Sequence, residues 1–120
     1  IKRVQDKFGD ILTMCGGHSS HSYINGSNIY FMYYYNLGDT RPEEEVAKYH
    51  LPIVQIIVEE TLKVGGSMCH HHGVGKYRAP WIEDEHESAY YILDTLKNAF
   101  DPNGIMNKGS IYPAGVIKKP

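Results

Sequence analysis

The side chains best suited to chemistry in this sequence are histidines gathered in one short loop. His70, His71 and His72 are consecutive within "GGSMCHHHGVGKYRAPW", which runs from Gly65 to Trp81. Neutral imidazole is the commonest protein ligand of transition metals and the usual general base near pH 7. The loop is therefore a candidate metal site or catalytic loop, and a polar surface loop is the plain alternative.

Backbone geometry limits what the three histidines can do together. In an extended segment, neighbouring side chains point to opposite faces, so His70 and His72 would face one way and His71 the other. All three can bind one metal ion only if the backbone folds sharply. The glycines on both sides of the trio allow the backbone to approach a flat ligand or cofactor closely.

A second group of candidates lies earlier in the chain. His18 and His21 lie in a Gly- and Ser-rich segment, and together with the trio they could hold zinc or manganese. Cys15 and Cys69 fit no CxxC pattern, so surface histidines are the alternative. Tyr30 is either a core tyrosine or a general acid or base whose pKa is lowered by nearby cations or histidines.

The strands that must position these candidates follow from the hydrophobic pattern. Alternation predicts a strand over "NIYFMYYYNL", Asn28 to Leu37, and a short one over Ile11 to Met14. Both faces of the longer strand are partly apolar, so we expect a central strand with something packed on each side. The segment between the two strands is typical of a loop, and its Asn25-Gly26 pair indicates a turn.

Helical spacing predicts three helices. The first covers Lys2 to Phe8. The second opens with the capping box Thr40–Glu43, is kinked or split at Pro52, and ends at a glycine pair. The third starts near Asp84, and "DPNG", Asp101 to Gly104, ends it.

Several other residues have plain structural interpretations. His50 and His86 lie on predicted helices as surface residues, whereas Trp81 and Phe100 are expected in the core. The segment from Ile105 to Pro120 is punctuated by Gly and Pro, so we expect it to be extended and to need a partner surface for order.

Composition excludes several classes of function. The 120 residues carry a formal net charge of -2, which gives no footprint for nucleic acid or an anionic membrane. No apolar run approaches the ~20 residues of a transmembrane helix. Two cysteines are too few for a disulfide scaffold, so we expect a reduced, cytoplasmic chain.

Three stretches of the sequence resemble one enzyme family. The Gly-Gly-Ser, triple His and Gly-Val-Gly, followed by Lys76-x-Arg78-x-x-Trp81, and the stretch "NGSNIYFMYYYN" are similar to alkyldihydroxyacetonephosphate synthase. That family belongs to the FAD-linked oxidases with the vanillyl-alcohol-oxidase type of fold. "DPNGIMNKG" resembles the ending of the same group. The similarities keep their order from about Gly17 to Gly109.

The resemblance implies an α+β fold within a longer flavoenzyme. Residues 1–82 would belong to a ferredoxin-like cap domain, and residues 83–120 would form a terminal helix and a tail that pack toward an FAD-binding domain. FAD would be held mainly by that domain, which is absent from this sequence, so the fragment alone would be inactive. The family is also compatible with a homodimer and with a peripheral membrane contact.

The resemblance also implies roles for individual residues. Tyr30 would act as acid and base, and His70–His72 would take part in catalysis beside the flavin and the substrate. The trio, Gly73 and Asn107 would contact FAD, while Arg78 would orient a substrate anion or pair with a structural carboxylate. The reaction would exchange the acyl group of an acyl-dihydroxyacetone phosphate, a lipid phosphate, for a fatty alcohol.

Two rival functions stand beside this one. D-lactate- and glycolate-type hydroxyacid dehydrogenases resemble the chain, but they carry His at Tyr30 and Glu at His71, which are ligands in metal-binding members. The chain therefore favours a metal-free flavin site. The other rival is a non-catalytic metal-binding module, with His18, His21, His71 and His72 as ligands.

Overall fold

One helix precedes four short strands and the other helices follow them in this computed structural model, which describes residues 1–112. The elements are α1 (Lys2–Phe8), β1 (Leu12–His18), β2 (Ser22–Tyr23), β3 (Gly26–Ser27), β4 (Tyr30–Tyr35), α2 (Pro42–Glu45), α3 (Leu51–Lys63), α4 (Ile82–His86) and α5 (Tyr90–Phe100). This mixture confirms the predicted α+β class. The chain divides into two compact units, Ile1–Ile57 and Val58–Pro120.

The main sheet of the first unit pairs β1 with β4 in antiparallel register. His18 lies opposite Tyr30, and Gly17 lies opposite Phe31. The sequence predicted a loop here, which is wrong, because the pairing outweighs the weak strand preference of glycine. Gly17 is also needed for the close approach of the strands, since a Cβ at this position would lie 2.9 Å from the side chain of Ile29.

Strand β4 lies inside the predicted range, but it is not a central strand. Within residues 1–112 its only hydrogen-bonded neighbour is β1. Tyr33 and Tyr35 pack against the core, whereas Met32 and Tyr34 on the other face are exposed. The prediction that both faces are covered is therefore wrong for the described part of the chain.

A short hairpin follows β1. Strand β2 pairs with β3, with Ser22 opposite Ser27 and Tyr23 opposite Gly26. Ile24 and Asn25 form the two-residue turn between them. The predicted turn is confirmed, and it lies one residue earlier than the Asn25-Gly26 pair.

The core of the first unit forms where α1 and α3 contribute apolar side chains. Val4, Ile53 and Ile56 are buried together, and Ile53 is fully buried. The partly buried hydrophobic residues packed against them are Phe8, Leu12, Cys15, Tyr33, Tyr35 and Ile57. Full burial of one such aliphatic side chain contributes about 1.5–3 kcal/mol, so this cluster holds the sheet against the helices.

The second predicted helix is interrupted, as expected from its proline. A π-helical turn covers Val46–His50, and the N–H of Leu51 donates to the carbonyl of Val46. Pro52 follows at once in the first turn of α3, where its missing N–H is tolerated. The split at Pro52 is confirmed.

The predicted capping box at Thr40 is wrong. The N-cap is Arg41, one residue later, and no side chain caps this end. The Thr40 hydroxyl instead lies 2.9 Å from the hydroxyl of Tyr49 and accepts from Lys48 Nζ at 2.8 Å. Tyr49 and Lys48, from the π-helical turn, thus occupy the Thr40 hydroxyl that would otherwise cap the helix.

The second unit holds the histidine loop and the last helices. Its buried hydrophobic side chains are Val58, Met68, Ala79, Trp81 and Ile82. The predicted third helix is broken at Glu87, whose φ is 47°, into α4 and α5. Trp81 is buried as predicted, but Phe100 is 81% exposed, so its assignment to the core is wrong.

The predicted tail, Ile105 to Pro120, lies partly outside the described residues. Helix α5 ends at Phe100, directly before "DPNG", as predicted. Residues 101–112 contain turns and bends, with neither helix nor strand. None of the helices in the described range is long and apolar enough to cross a bilayer.

Candidate functional site

Tyr30 begins strand β4 and lies close to two histidines. The rings of His18 and Tyr30 stack, with centroids 4.9 Å apart and planes within 11°. This contact follows from the register, because the two residues are opposite each other on β1 and β4. The His21 ring is tilted by 41°, with its centroid 6.4 Å from that of Tyr30. Tyr30 is half-buried, so part of its side chain is accessible to a ligand.

Asn28 organises the loop that carries His21. It is buried, and its side-chain oxygen accepts from the backbone N–H of His21 at 2.7 Å and of Ser20 at 3.3 Å. Its own N–H donates to the carbonyl of His21 at 3.1 Å. Sequence reasoning missed this role, although an Asn in a loop is a common local hydrogen-bonding partner of backbone groups.

The chemistry open to this group is proton transfer. A phenol hydroxyl can give or take a proton, and imidazole rings can do the same near pH 7. His18 and His21 bring two such rings to Tyr30. The arrangement is therefore suited to a general acid or base at the Tyr30 oxygen.

The three consecutive histidines are exposed, and their rings contact one another. The centroids of His70 and His71 are 4.8 Å apart and those of His71 and His72 are 4.2 Å apart, both edge to face. The prediction that His71 points away from its neighbours assumed an extended backbone. Residues 70–72 form bends instead, and this brings the rings together.

One contact in the trio joins two ring nitrogens. The Nδ1 atoms of His70 and His71 are 2.6 Å apart. One ring donates and the other accepts, and the tautomers decide which. The two imidazoles are therefore hydrogen-bonded to each other within the exposed loop.

The backbone after the trio is open to a flat ligand. Gly73 and Gly75 have φ values of 74° and 62°, which favour glycine. A Cβ at either position would meet no atom within 4 Å. Exposed imidazoles beside an unobstructed glycine backbone fit a planar, hydrogen-bonding ring such as that of a flavin.

Side chains outside the trio hold both ends of its loop. The Glu85 carboxylate accepts from the Ser67 hydroxyl at 2.6 Å and from the Met68 N–H at 3.1 Å. At the other end, Arg78 Nη1 donates to the carbonyl of Gly73 at 3.4 Å. Sequence reasoning missed Glu85, because a contact across 18 residues leaves no local signal.

The thiol within this loop is not suited to nucleophilic chemistry. Partial burial raises the pKa of Cys69 above its ordinary 9.0, the nearby Glu85 carboxylate raises it further, and Arg78 opposes both. The group is therefore a neutral thiol at pH 7, and the thiolate is the reactive form. The histidines therefore remain the candidates for chemistry in this loop.

Asn107 lies in a turn built around a buried carboxylate. Asp101 accepts from the N–H groups of Ile105 at 3.0 Å and Met106 at 2.9 Å, and it pairs with Lys97. The Lys97 hydrogen bond, followed by these backbone bonds, lowers the pKa of Asp101 to about 2. Asn107 itself is exposed with a φ of 46°, so it projects from an ordered turn.

Two further sequence predictions concern histidines. Among residues 1–112, no three His, Cys, Asp or Glu side chains come together as a metal ion would require. His50, predicted as a surface residue, is half-buried, and its Nδ1 lies 3.0 Å from the Tyr33 hydroxyl. That prediction is wrong because the π-helical turn directs the ring toward β4.

Comparison with known proteins places the chain in a family. Residues 1–111 match the family described as FAD linked oxidases, C-terminal domain. The chain is 58% identical over 115 residues to the uncharacterized FAD-linked oxidoreductase YgcU of Escherichia coli (strain K12), covering 94% of the chain and 24% of that protein. No solved structure matches it.

More distant relatives carry more specific names. The chain is 30% identical over 97 residues to alkyldihydroxyacetonephosphate synthase of Dictyostelium discoideum, covering 80% of the chain and 15% of that protein. It is 29% identical over 82 residues to glycolate oxidase subunit GlcD of Bacillus subtilis (strain 168), covering 68% of the chain and 17% of that protein. The chain thus spans a quarter or less of the length of these relatives.

The chain belongs to the FAD-linked oxidases and corresponds to their C-terminal domain. FAD is the cofactor of this family, as predicted. The α+β fold described above is the fold of that domain.

Proposed function

We propose that this domain supplies the acid–base residues of an FAD-dependent oxidoreductase. The observation that carries the proposal is the stacked contact of Tyr30 with His18 at the start of β4. His18 on β1 and His21 in the loop that follows both approach Tyr30, and Asn28 holds that loop in place.

Tyr30 takes or returns a proton at its hydroxyl oxygen. His18 and His21 lie beside this residue, with ring centroids 4.9 Å and 6.4 Å from that of Tyr30. Because Tyr30 is attached to a paired strand, its oxygen is held in one place relative to a bound substrate. Precise placement matters as much as pKa for such a residue.

The histidine loop is the other region proposed to take part in catalysis. His70–His72, Gly73 and Asn107 are proposed to lie against FAD, which supplies the electron-accepting ring when bound. Imidazole rings can donate to a developing negative charge and accept in return. Arg78 is proposed to hold the Gly73 carbonyl, in addition to any contact with a substrate anion.

For the reaction, we propose acyl-to-alkyl exchange on an acyl-dihydroxyacetone phosphate with a fatty alcohol. Support comes from the likeness to alkyldihydroxyacetonephosphate synthases of Dictyostelium discoideum and Trypanosoma brucei brucei, both at 30% identity. The Tyr30 and triple-histidine pattern of that family is present in this chain. The enzyme would then meet a lipid substrate, which is consistent with a cytoplasmic protein that touches a membrane peripherally.

A 2-hydroxyacid dehydrogenase is the second candidate. It is favoured by the likeness to glycolate oxidase subunit GlcD and to D-2-hydroxyglutarate dehydrogenase of Stutzerimonas stutzeri (strain A1501), at 37% identity over 59 residues. In either case the FAD-binding domain is proposed to belong to the same full-length polypeptide, because the chain covers only 24% of YgcU.

The visible spectrum of the flavin in the full-length protein separates the two candidates. The exchange reaction predicts that acyl-dihydroxyacetone phosphate changes the flavin spectrum and that D-lactate and glycolate do not bleach it. Bleaching by D-lactate or glycolate, with no response to the acyl-dihydroxyacetone phosphate, would reject the exchange reaction and establish the dehydrogenase. No response to any of these substrates would contradict both.

A further inference from the structure

The loop that carries the three histidines lacks a backbone ladder of its own. Residues 66–78 contain neither helix nor strand, and Gly65, Gly73 and Gly75 all have positive φ. Glycine has the largest conformational freedom to lose on ordering. The position of the imidazoles must therefore be fixed by contacts from outside the loop.

Glu85 makes the most extensive of these contacts. Both of its carboxylate oxygens are used: Oε1 accepts from the Ser67 hydroxyl at 2.6 Å, and Oε2 accepts from the Met68 N–H at 3.1 Å. The Ser67 hydroxyl also lies 3.0 Å from the carbonyl of Cys69, which directly precedes the trio. One side chain on α4 thus holds Ser67 and Met68, and Ser67 in turn contacts Cys69.

Burial makes this clamp stronger than a surface contact. Met68 is 8% exposed, so its N–H would be costly to leave without an acceptor. Glu85 is half-buried, and hydrogen bonds to an ionised acceptor are the stronger kind. Trp81 and Ile82, at the start of α4, are buried and anchor the helix that carries Glu85.

We propose that Glu85 is a positioning residue that sets the placement of the His70–His72 rings. Nothing in the family description or in the names of the relatives assigns this role to it. This role deepens the proposed function, and it rests on that function in that the loop is proposed to lie against the flavin. The clamp itself stands on the hydrogen bonds of Ser67 and Met68.

The test uses the full-length flavoprotein and two measurements. The first is hydrogen–deuterium exchange of residues 66–75, which reports the clamp whether or not the loop meets the flavin. The second is the dissociation constant of sulfite, which binds reversibly at the flavin ring and bleaches its main visible band. It needs no knowledge of the natural substrate.

Four variants separate the possible outcomes. Glu85→Ala removes the acceptor and should raise loop exchange and weaken sulfite binding, each about tenfold. Glu85→Gln can still accept from Met68 N–H and donate to Ser67, so it should restore both values to within about threefold of the wild type. Glu83→Ala, an exposed acid on the same helix, is the matched control and should change neither. His71→Ala removes one imidazole of the trio, and its sulfite affinity shows whether the loop contacts the flavin.

The two failures are distinguishable. If Glu85→Ala exchanges like the wild type in residues 66–75, the clamp is wrong, whatever the flavin does. If loop exchange rises in Glu85→Ala but sulfite affinity is unchanged in both Glu85→Ala and His71→Ala, the loop does not meet the flavin and the proposed function is wrong. If His71→Ala weakens sulfite binding and Glu85→Ala does not, the positioning role is overturned.

Discussion

The Tyr30 region and the histidine loop are built in opposite ways. Tyr30 lies on a paired strand, where register with β1 places it opposite His18. His70–His72 lie on a loop whose ends are held by the side chains of Glu85 and Arg78. A backbone ladder survives most single substitutions, whereas a side-chain clamp depends on one or two groups. The first region is therefore suited to precise placement and the second to adjustment.

The largest effect expected in this comparison comes from removing the imidazoles. A His70/His71/His72 triple alanine variant of the full-length enzyme should lose turnover by about 10²–10⁴-fold, the range of acid–base groups. FAD content should stay near that of the wild type, because the flavin is proposed to be held mainly by another domain. Turnover is measured with the substrate that the flavin spectrum identifies. Retained turnover would show that the three histidines are not needed and that Tyr30 acts without them.

A core substitution should weaken the hydrogen-exchange protection of β1 and β4. Ile53 is fully buried under the sheet, so Ile53→Ala should cost about 2–5 kcal/mol in the free energy that protects β1 and β4 from hydrogen exchange. Ile24→Ala, at a fully exposed turn position, is the control and should have little effect. Equal exchange in β4 for both variants would contradict the core described for the first unit.

Removing the His18 imidazole that stacks on Tyr30 should have a smaller effect than either the triple alanine variant or Ile53→Ala. His18→Ala removes a ring contact of the kind worth about 0.5–1.5 kcal/mol, so turnover should fall by roughly tenfold or less. His18→Phe keeps the stacked ring without a nitrogen. If Phe restores turnover, the ring acts by packing, and if it does not, the imidazole acts on the charge of Tyr30.

The smallest effect concerns the turn that presents Asn107. The folded pKa of Asp101 is about 2, below its ordinary 3.8, so its carboxylate stabilises the turn above about pH 4. That contribution is lost as pH falls through about 2. Asp101→Asn should therefore speed hydrogen exchange of residues 105–107 at pH 7, and the difference from the wild type should narrow between pH 4 and pH 2. A difference that grows with acid would contradict the assignment.

The sequence predicted the local elements of the fold better than the contacts among them. Helix α1, the stop after Phe100 and the interruption before Pro52 were all predicted, because glycine and proline act on their immediate neighbours. The extension of β1 through Gly16 and Gly17 was not, since it depends on pairing with β4. The cap at Thr40 failed for a similar reason, because Tyr49 and Lys48 take its hydroxyl.

The site could be predicted in part. Residue type alone pointed to the histidine loop and to Tyr30 as candidates. The stacking of His18 on Tyr30 required the strand register, and the Glu85 clamp spans 18 residues with no periodic signal. The edge-to-face contacts of the trio depend on bends that only the folded loop shows. Contacts that join distant segments were the part that the sequence alone left open.

The central claim is that Tyr30 exchanges a proton with the substrate, and Tyr30→Phe tests it most directly. The substitution removes one oxygen atom and keeps the ring on β4. In the full-length enzyme we predict that turnover falls by a hundredfold or more, roughly the lower bound for an acid–base residue, while FAD content and the thermal midpoint stay at wild-type values. Turnover equal to that of the wild type, at equal FAD content, would contradict the claim.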